Sequence, residues 1–233
     1  MSAGVQQSTI PVIAIDGPVG SGKGTIARRV ARALSWNMLD SGALYRLVAL
    51  AAAKQGVSHS DEEALAQLAA GLSIRFEADS EGDEHIFLDD EEVTVEIRTE
   101  ECGLGASAVA ALTDVRTALL RLQRDFREAP GLVADGRDMG STVFPDAVLK
   151  VYLTASAEKR AKRRHKQLKD KGIDVSLPAL SRDIEDRDRR DSERSIAPLR
   201  PAEGARLLDS SGQTIDEVTQ TVLEWVALLE KGT

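Results

Sequence analysis

The chain has 233 residues, 42% of them hydrophobic, and a formal net charge of −8. This length accommodates one large α/β domain with insertions or two small domains, and the negative balance argues against broad nucleic-acid binding. The single cysteine, Cys102, excludes an internal disulfide, and with only three scattered histidines it forms no zinc cluster.

Residues Met1 to Thr9 lack the charged start and apolar core of a signal peptide, and the longest apolar run, Leu47 to Ala53, is too short to span a bilayer. A cytoplasmic protein is expected, with Cys102 as a packed thiol in a reducing compartment. The first apolar run, Pro11-Val12-Ile13-Ala14-Ile15, has strand character over Val12–Ile15. Gly17-Pro18-Val19-Gly20-Ser21-Gly22-Lys23-Gly24-Thr25 follows, then a helical pattern over Ile26–Leu34. Strand, glycine-rich loop and helix start, in that order, build a phosphate cradle. The glycines turn the backbone so that N–H groups point inward, the helix end adds partial positive charge, and Lys23 supplies a full charge for the distal phosphates. The strict form of this loop has Ser or Thr after the lysine, where its hydroxyl binds magnesium. Here Gly24 stands in that place and the hydroxyl follows at Thr25. A metal is then either held less directly, or held by the nucleotide, water and a carboxylate.

A second strand, Met38–Asp40, leads into Ser41-Gly42-Ala43-Leu44-Tyr45-Arg46. Ser41 either caps the helix that begins there or serves a site. Arg46, about a turn in, either reaches back toward a second phosphate or is a surface arginine. From about residue 60 to 113 the alternation of strand and helix is interrupted. Ser60-Asp61-Glu62-Glu63 reads as a capping box opening a helix. Leu72–Phe76, His85–Leu88 and Val93–Val95 then form a small antiparallel sheet, joined by the acidic turn Asp79 to Glu84 and by Asp89-Asp90.

Asp114–Glu128 is helical, with Val115, Leu119, Leu122 and Phe126 on one face. The strand Leu132–Asp135 ends in Gly136-Arg137-Asp138. An apolar strand ending in Asp is the usual second element of a phosphate-loop site, so Asp135 is expected to position magnesium or its water. Arg137 and Asp138 sit at the carboxyl edge of the sheet, where such folds bind ligands.

After the strand Val148–Leu153 comes a basic region, about 157–198. Between Lys159 and Arg200 lie 14 Lys and Arg against 8 Asp and Glu, a local +6 that leaves −14 for the rest. A basic segment on an acidic body suggests a local anionic ligand, the alternative being a solvated, charged helix pair. The region reads as two helices joined near Lys171-Gly172, anchored by only Leu168, Ile173, Leu177, Leu180 and Ile184, and is therefore expected to move. Arg163 and Arg164 lie on its first helix. Arg187, Asp191 and Arg194 share one face of the second at i, i+4 and i+7. Arginines can clamp a transferring phosphoryl group. The last strand is Ala205–Asp209. The last helix, Ile215–Leu229, opens on a Thr214/Glu217 capping box and turns Val218, Val222, Trp225 and Leu229 inward. Five strands alternating with helices imply a doubly wound parallel sheet.

Taken together, the loop Gly17–Thr25, the run Leu39-Asp40-Ser41-Gly42-Ala43-Leu44-Tyr45-Arg46, the run Asp135-Gly136-Arg137-Asp138-Met139-Gly140 and the run Arg187-Asp188-Arg189-Arg190-Asp191 resemble the bacterial cytidylate kinases, within the nucleoside monophosphate kinases. The resemblance spans about Ile10 to Leu229. It implies a single P-loop kinase domain of α/β class: a core of about 10–59, 114–156 and 199–230, a small antiparallel-sheet insert for the monophosphate at about 60–113, and a helical lid at about 157–198. It also implies ATP-dependent phosphorylation of CMP and dCMP to CDP and dCDP with magnesium, by a monomer without nucleic-acid or membrane partners. Carried over by position, Gly17 to Thr25 bind ATP. Ser41, Ser107, Arg116 and Asp138 surround the cytosine. Arg46 and Arg137 hold the acceptor phosphate, Arg187 and Asp191 meet the sugar, and Arg194 closes behind them. Lys23, Arg163 and Arg164, with Arg137, stabilise the transferring group. Gly140-Ser141-Thr142-Val143 departs slightly from the family's usual Thr-Val-Val after Met-Gly. Other readings are a kinase for another nucleoside monophosphate or a small hydroxyl metabolite, or a nucleotide-dependent switch or ATPase.

Overall fold

The computed structural model describes residues 10–78, 84–170 and 175–231. The acidic turn up to residue 83, the joint at Lys171-Gly172, Ile173 and the N-terminal nine residues lie outside the described residues.

Alternating burial organises the core. In β1 (Val12–Asp16) every residue is buried. Val12 and Ala14 join one apolar cluster, and Ile13 and Ile15 join the other on the opposite side of the sheet. A strand buried on both faces reads as a continuous apolar run because each face has its own helical layer. The phosphate loop leads directly into α1 (Lys23–Leu34), three residues earlier than the apolar pattern begins. Next come β2 (Asn37–Asp40) and α2 (Ser41–Gln55). The cap of α2 is Asp40, whose carboxylate accepts from Ala43 N at 3.0 Å, so Ser41 is not the cap and its hydroxyl is free for another role.

The interruption begins with α3 (Glu62–Gly71). Its cap is Asp61, which accepts from Ala64 N at 3.1 Å, rather than Ser60. Then follow β3 (Ile74–Ala78), β4 (Glu84–Leu88) and β5 (Glu91–Glu92), an antiparallel sheet in that order. The third strand is not Val93–Val95. Asp89 and Asp90, both with positive φ, turn the chain so tightly that Glu91 and Glu92 pair with Leu88 and Phe87. Val93 N donates one more bond, to Ile86 O at 2.8 Å, and the ladder stops there, with Ile86 N donating to the Thr94 hydroxyl at 2.9 Å. Val93 is fully buried, and Val95 is 81% exposed at the start of a 3-10 turn, Glu96–Arg98. Helices α4 (Glu100–Val109) and α5 (Thr113–Asp125) complete this part. Helix α5 stops three residues before the expected Glu128, where turn bonds take over (Arg127 N to Arg124 O, Glu128 N to Phe126 O) ahead of Pro130.

β6 (Leu132–Gly136) ends in a π-helical turn at Met139–Val143. β7 (Leu149–Thr154) leads to α6 (Ala157–Asp170) and α7 (Leu177–Glu193), the two helices expected of the basic region. β8 (Arg206–Asp209) and α8 (Ile215–Lys231) close the chain. The five expected core strands form one parallel sheet, ordered β2-β6-β1-β7-β8. The Thr214/Glu217 capping box is formed: Glu217 N donates to Thr214 Oγ1 at 3.2 Å and Thr214 N to Glu217 Oε2 at 2.7 Å. Among the described residues, no single helix is long and apolar enough to cross a membrane.

The relocated cap of α3 is testable. Asp61→Ala should cost about 1 kcal/mol and lower the thermal midpoint by about 2–4 °C. Ser60→Ala should leave it nearly unchanged. A larger loss from Ser60→Ala would return the cap to Ser60.

Candidate active site

The carboxyl ends of β1, β2 and β6 converge on the phosphate loop, as the rule for open α/β sheets requires. Gly22 adopts φ 93°, a left-handed conformation that glycine takes without penalty, and α1 starts immediately after it. The loop stands between two cavities. Lys23 and Gly24 line the first; Gly20, Ser21, Gly22 and Thr25 line the second. Pro18 and Val19 serve through their carbonyls, which accept from Lys23 Nζ at 3.2 Å and from Arg160 at 3.1 Å. Gly17 packs against the Leu153 carbonyl.

The first cavity collects every expected acceptor residue: Ser41, Arg46, Ser107, Arg116, Arg137, Asp138, Arg187, Asp191 and Arg194, together with Asp135. Eight basic and four acidic side chains line it, so the space favours an anion. The pairings within it are specific. Asp138, buried, pairs with Arg116, which also donates to Ala110 O at 3.2 Å. Asp191 accepts from Arg137 Nε at 3.0 Å and pairs with Arg194. Arg194 lies just past the end of α7, so only Arg187 and Asp191 share the helix face, yet all three reach one cavity. Burial opposes ionisation of Asp191, but Arg137 and Arg194 outweigh it and hold the carboxyl below its ordinary value. Arg46 is held by Ile97 O at 2.6 Å and Thr99 O at 3.0 Å.

Three buried side-chain atoms have no partner among the described residues: Ser21 Oγ, Asp135 Oδ1 and Arg187 Nε. All three lie on the loop or in the first cavity, where a phosphate or its metal would satisfy them. Burial, reinforced by Arg137, lowers Arg187 to about 10. Burial also lowers Lys23 to about 8 and raises Asp135 to about 7, with the two partly countering each other's shift. Such perturbed groups cluster at functional sites.

The departure at Gly24 has a spatial reason. A Cβ there would lie 3.0 Å from Asp135 Oδ2. A Ser or Thr side chain would crowd the carboxylate. Thr25 lines the second cavity and Asp135 the first. Among the described residues, no group of three or more His, Cys, Asp or Glu is placed to hold a metal. One carboxylate with an unpartnered oxygen fits a cation whose other ligands are phosphates and water.

The second cavity joins the loop to Arg163 and Arg164 of α6 and to Ser210, Gln213 and Thr214 beyond β8. Arg163 donates to Ser21 O at 3.1 Å and to Ser210 O at 2.7 Å. Arg164 instead pairs with Glu100 of α4, with Nε at 2.9 Å.

Residues 13–228 match a family model described as cytidylate kinase. The cytidylate kinase of Pseudomonas paraeruginosa (strain DSM 24068 / PA7) is 60% identical over 218 residues, which cover 93% of this chain and 95% of that protein. The chain belongs to the cytidylate kinase family. The family member from Methylococcus capsulatus (strain ATCC 33009 / NCIMB 11132 / Bath) is likewise 60% identical, over 220 residues covering 94% of this chain and 98% of the relative. A solved structure of an uncharacterized protein from Eubacterium ventriosum ATCC 27560 has a TM-score of 0.52 at 11% identity, covering 94% of this chain and 98% of that one, and shares the fold alone.

Sequence reasoning missed several residues that the structure places at or beside these cavities. Asp16 ends β1, and its carboxylate accepts from Met139 N at 2.8 Å and Gly140 N at 2.9 Å, tying the end of β1 to the turn that follows β6. Burial raises it to about 6. The strand-ending Asp was the available signal. Arg160 joins the first turn of α6 to the loop and to α7: it donates to Val19 O and to Asp188 Oδ1 at 3.0 Å. Nothing in its charge run marked it out from its neighbours. Arg28 and Arg98 also line the first cavity, Arg98 pairing with Asp40 and Glu84.

The raised pKa of Asp135 gives a pH test on nucleotide-free, metal-free protein. Below about pH 4 the carboxyl is neutral in both folded and unfolded chains. From there to about pH 7 the unfolded chain has lost the proton and the folded chain has not, so the parent loses stability as pH rises. Asp135→Asn should therefore gain thermal stability relative to the parent between pH 5 and pH 8. A pH-independent gap between the two midpoints would contradict a buried, reluctantly ionised Asp135.

Proposed function

We propose that this chain transfers the γ-phosphoryl group of ATP to CMP and dCMP, giving ADP with CDP or dCDP. The observation that carries the reading is that one cavity gathers the nine acceptor residues together with Lys23 and Asp135, while the phosphate loop also walls a second cavity. Family membership supports the same reaction. ATP lies on the second cavity with its phosphates along Gly17 to Thr25; the monophosphate lies in the first. An oxygen of the acceptor phosphate attacks the γ-phosphorus as the bond to the β–γ bridging oxygen breaks, and that oxygen leaves on ADP. Little covalent work falls to the protein; positioning and charge do the rest.

Arg46 and Arg137 hold the acceptor phosphate, and Asp191 keeps the Arg137 guanidinium aimed. Arg187 and Asp191 meet the sugar, with Arg194 behind. Lys23, Arg163 and Arg164 join Arg137 in neutralising charge on the transferring group. Magnesium, held by Asp135 directly or through water, supplies further charge neutralisation when bound. Asp138 accepts from the cytosine N4 amino group, and Arg116 and Ser107 donate to N3 and O2.

The division of labour follows the element order. The core spans about 10–59, 114–156 and 199–230, the insert at about 60–113 cradles the monophosphate, and the basic 157–198 segment is a lid that excludes water when both nucleotides are bound. We read the enzyme as a monomer acting in the cytoplasm on free nucleotides.

Incubation with ATP, magnesium and CMP should yield ADP and CDP in equal amounts. ADP without CDP, or ADP formed equally well without CMP, would favour a switch or ATPase. Lys23→Ala should lose at least about 3 kcal/mol of transition-state stabilisation while retaining CMP binding. Turnover unchanged in that variant would remove the loop from the mechanism. Asp138→Asn should lower the CMP/UMP preference in kcat/KM by about tenfold or more, mostly through lost CMP activity. It should also lower the thermal midpoint, since Arg116 is left buried beside an uncharged partner. A wild-type preference in a folded variant would mean that Asp138 does not read the base.

A further inference from the structure

The base end of the acceptor cavity is backed by a residue that does not line it. Ser41, the first residue of α2, lines the cavity and is 3% exposed; Gln123, on α5, lies behind it and is 1% exposed. The Ser41 hydroxyl donates to Gln123 Oε1 at 2.8 Å. The other end of the amide is also committed: Gln123 Nε2 donates to Leu119 O at 3.3 Å, one turn earlier on α5. Turning the amide over would set its carbonyl against the Leu119 carbonyl, an acceptor against an acceptor, at a side chain buried from solvent. The orientation of the amide is therefore fixed by its surroundings.

A hydroxyl has one proton. With that proton given to Gln123, Ser41 presents only lone pairs to the cavity. Asp138, on the same cavity and paired with Arg116, is also an acceptor. We propose that Gln123 is a specificity-determining positioning residue: by holding the Ser41 proton, it makes Ser41 a second acceptor that welcomes an exocyclic amino group and disfavours a carbonyl oxygen in the same place. The proposal rests on the assignment of a cytosine nucleotide to this cavity. An amino group brings two N–H donors and can satisfy both acceptors. The O4 of uracil would face two acceptors and satisfy neither. Without the Gln123 carbonyl, the Ser41 hydroxyl rotates freely and can donate to O4, so discrimination falls.

The test is selectivity rather than activity. Gln123→Met keeps the length of the side chain and removes the acceptor. It should lower the CMP/UMP ratio of kcat/KM by about tenfold, the scale of one hydrogen bond, mainly through KM and with UMP improving. Ser41→Ala should weaken CMP while leaving UMP unchanged or better, and adding Gln123→Met to Ser41→Ala should move the ratio no further. Thermal midpoints of the variants are read in parallel. Equal losses for CMP and UMP in Gln123→Met would reduce the residue to packing and overturn the proposal. So would an equal loss in Ser41→Ala, a measurement that stands even if Gln123→Met fails to fold. A further fall in the ratio in the double variant would place the effect away from Ser41 and overturn it too. The wild-type ratio separates the two levels. A ratio near one would sink the cytosine reading and this inference together, whereas a high wild-type ratio retained in folded Gln123→Met sinks the inference alone.

Discussion

The rest of the site depends on an unbalanced set of charges at the carboxyl edge of a parallel sheet. Eight basic and four acidic side chains share one cavity, and Lys23, Asp135 and Arg187 are buried enough that none titrates at its ordinary value. Such an arrangement costs folding stability, because buried charge without full compensation is expensive. It is what a site for two polyanions needs, because anions and their metal supply the missing counter-charge on arrival. The unpartnered Ser21 Oγ, Asp135 Oδ1 and Arg187 Nε mark where that compensation would enter.

The scaffold offsets part of this imbalance through specific ion pairs. Asp138 neutralises Arg116, Asp191 serves both Arg137 and Arg194, and Asp188 holds Arg160 against the phosphate loop. Each pair spans separate elements or fixes a helix end, so the same contacts that offset charge also set geometry. Below them, the two-sided sheet supplies rigidity: alternate residues of β1 feed opposite apolar layers, and the strand ends can shift little. Helices α6 and α7 have fewer buried anchors, Leu168, Leu180 and Ile184 among them, and meet the rest through ion pairs that can exchange, Arg164 with Glu100 being one.

The core was legible in the sequence because a strand buried on both faces leaves a short apolar run, and all five such runs became strands of one sheet. The phosphate loop was legible because its glycines and lysine occupy fixed spacings. Elsewhere the signal was ambiguous for identifiable reasons. Val93 signals burial, and its N–H still donates to Ile86 O at 2.8 Å, but the two-residue turn at Asp89-Asp90 gives the strand itself to Glu91 and Glu92. Ser60 and Asp61 are both good caps, and so are Asp40 and Ser41; only the backbone decides between neighbours. Gln123 and Arg160 act through partners 82 and 141 positions away, Ser41 and Val19, and nothing local in sequence marks such long-range contacts. The acceptor residues emerged from resemblance rather than from spacing, and their gathering in one cavity is a tertiary fact.

The central claim is that the phosphate loop is a wall shared by two nucleotide sites. A tethered ligand tests it most directly: adenosine and cytidine joined through five phosphates, titrated calorimetrically with magnesium present. One molecule per chain is expected, with binding abolished by saturating ATP and separately by saturating CMP. A tethered ligand displaced by only one of the two nucleotides, or bound no more tightly than ATP alone, would contradict a transfer path across the loop.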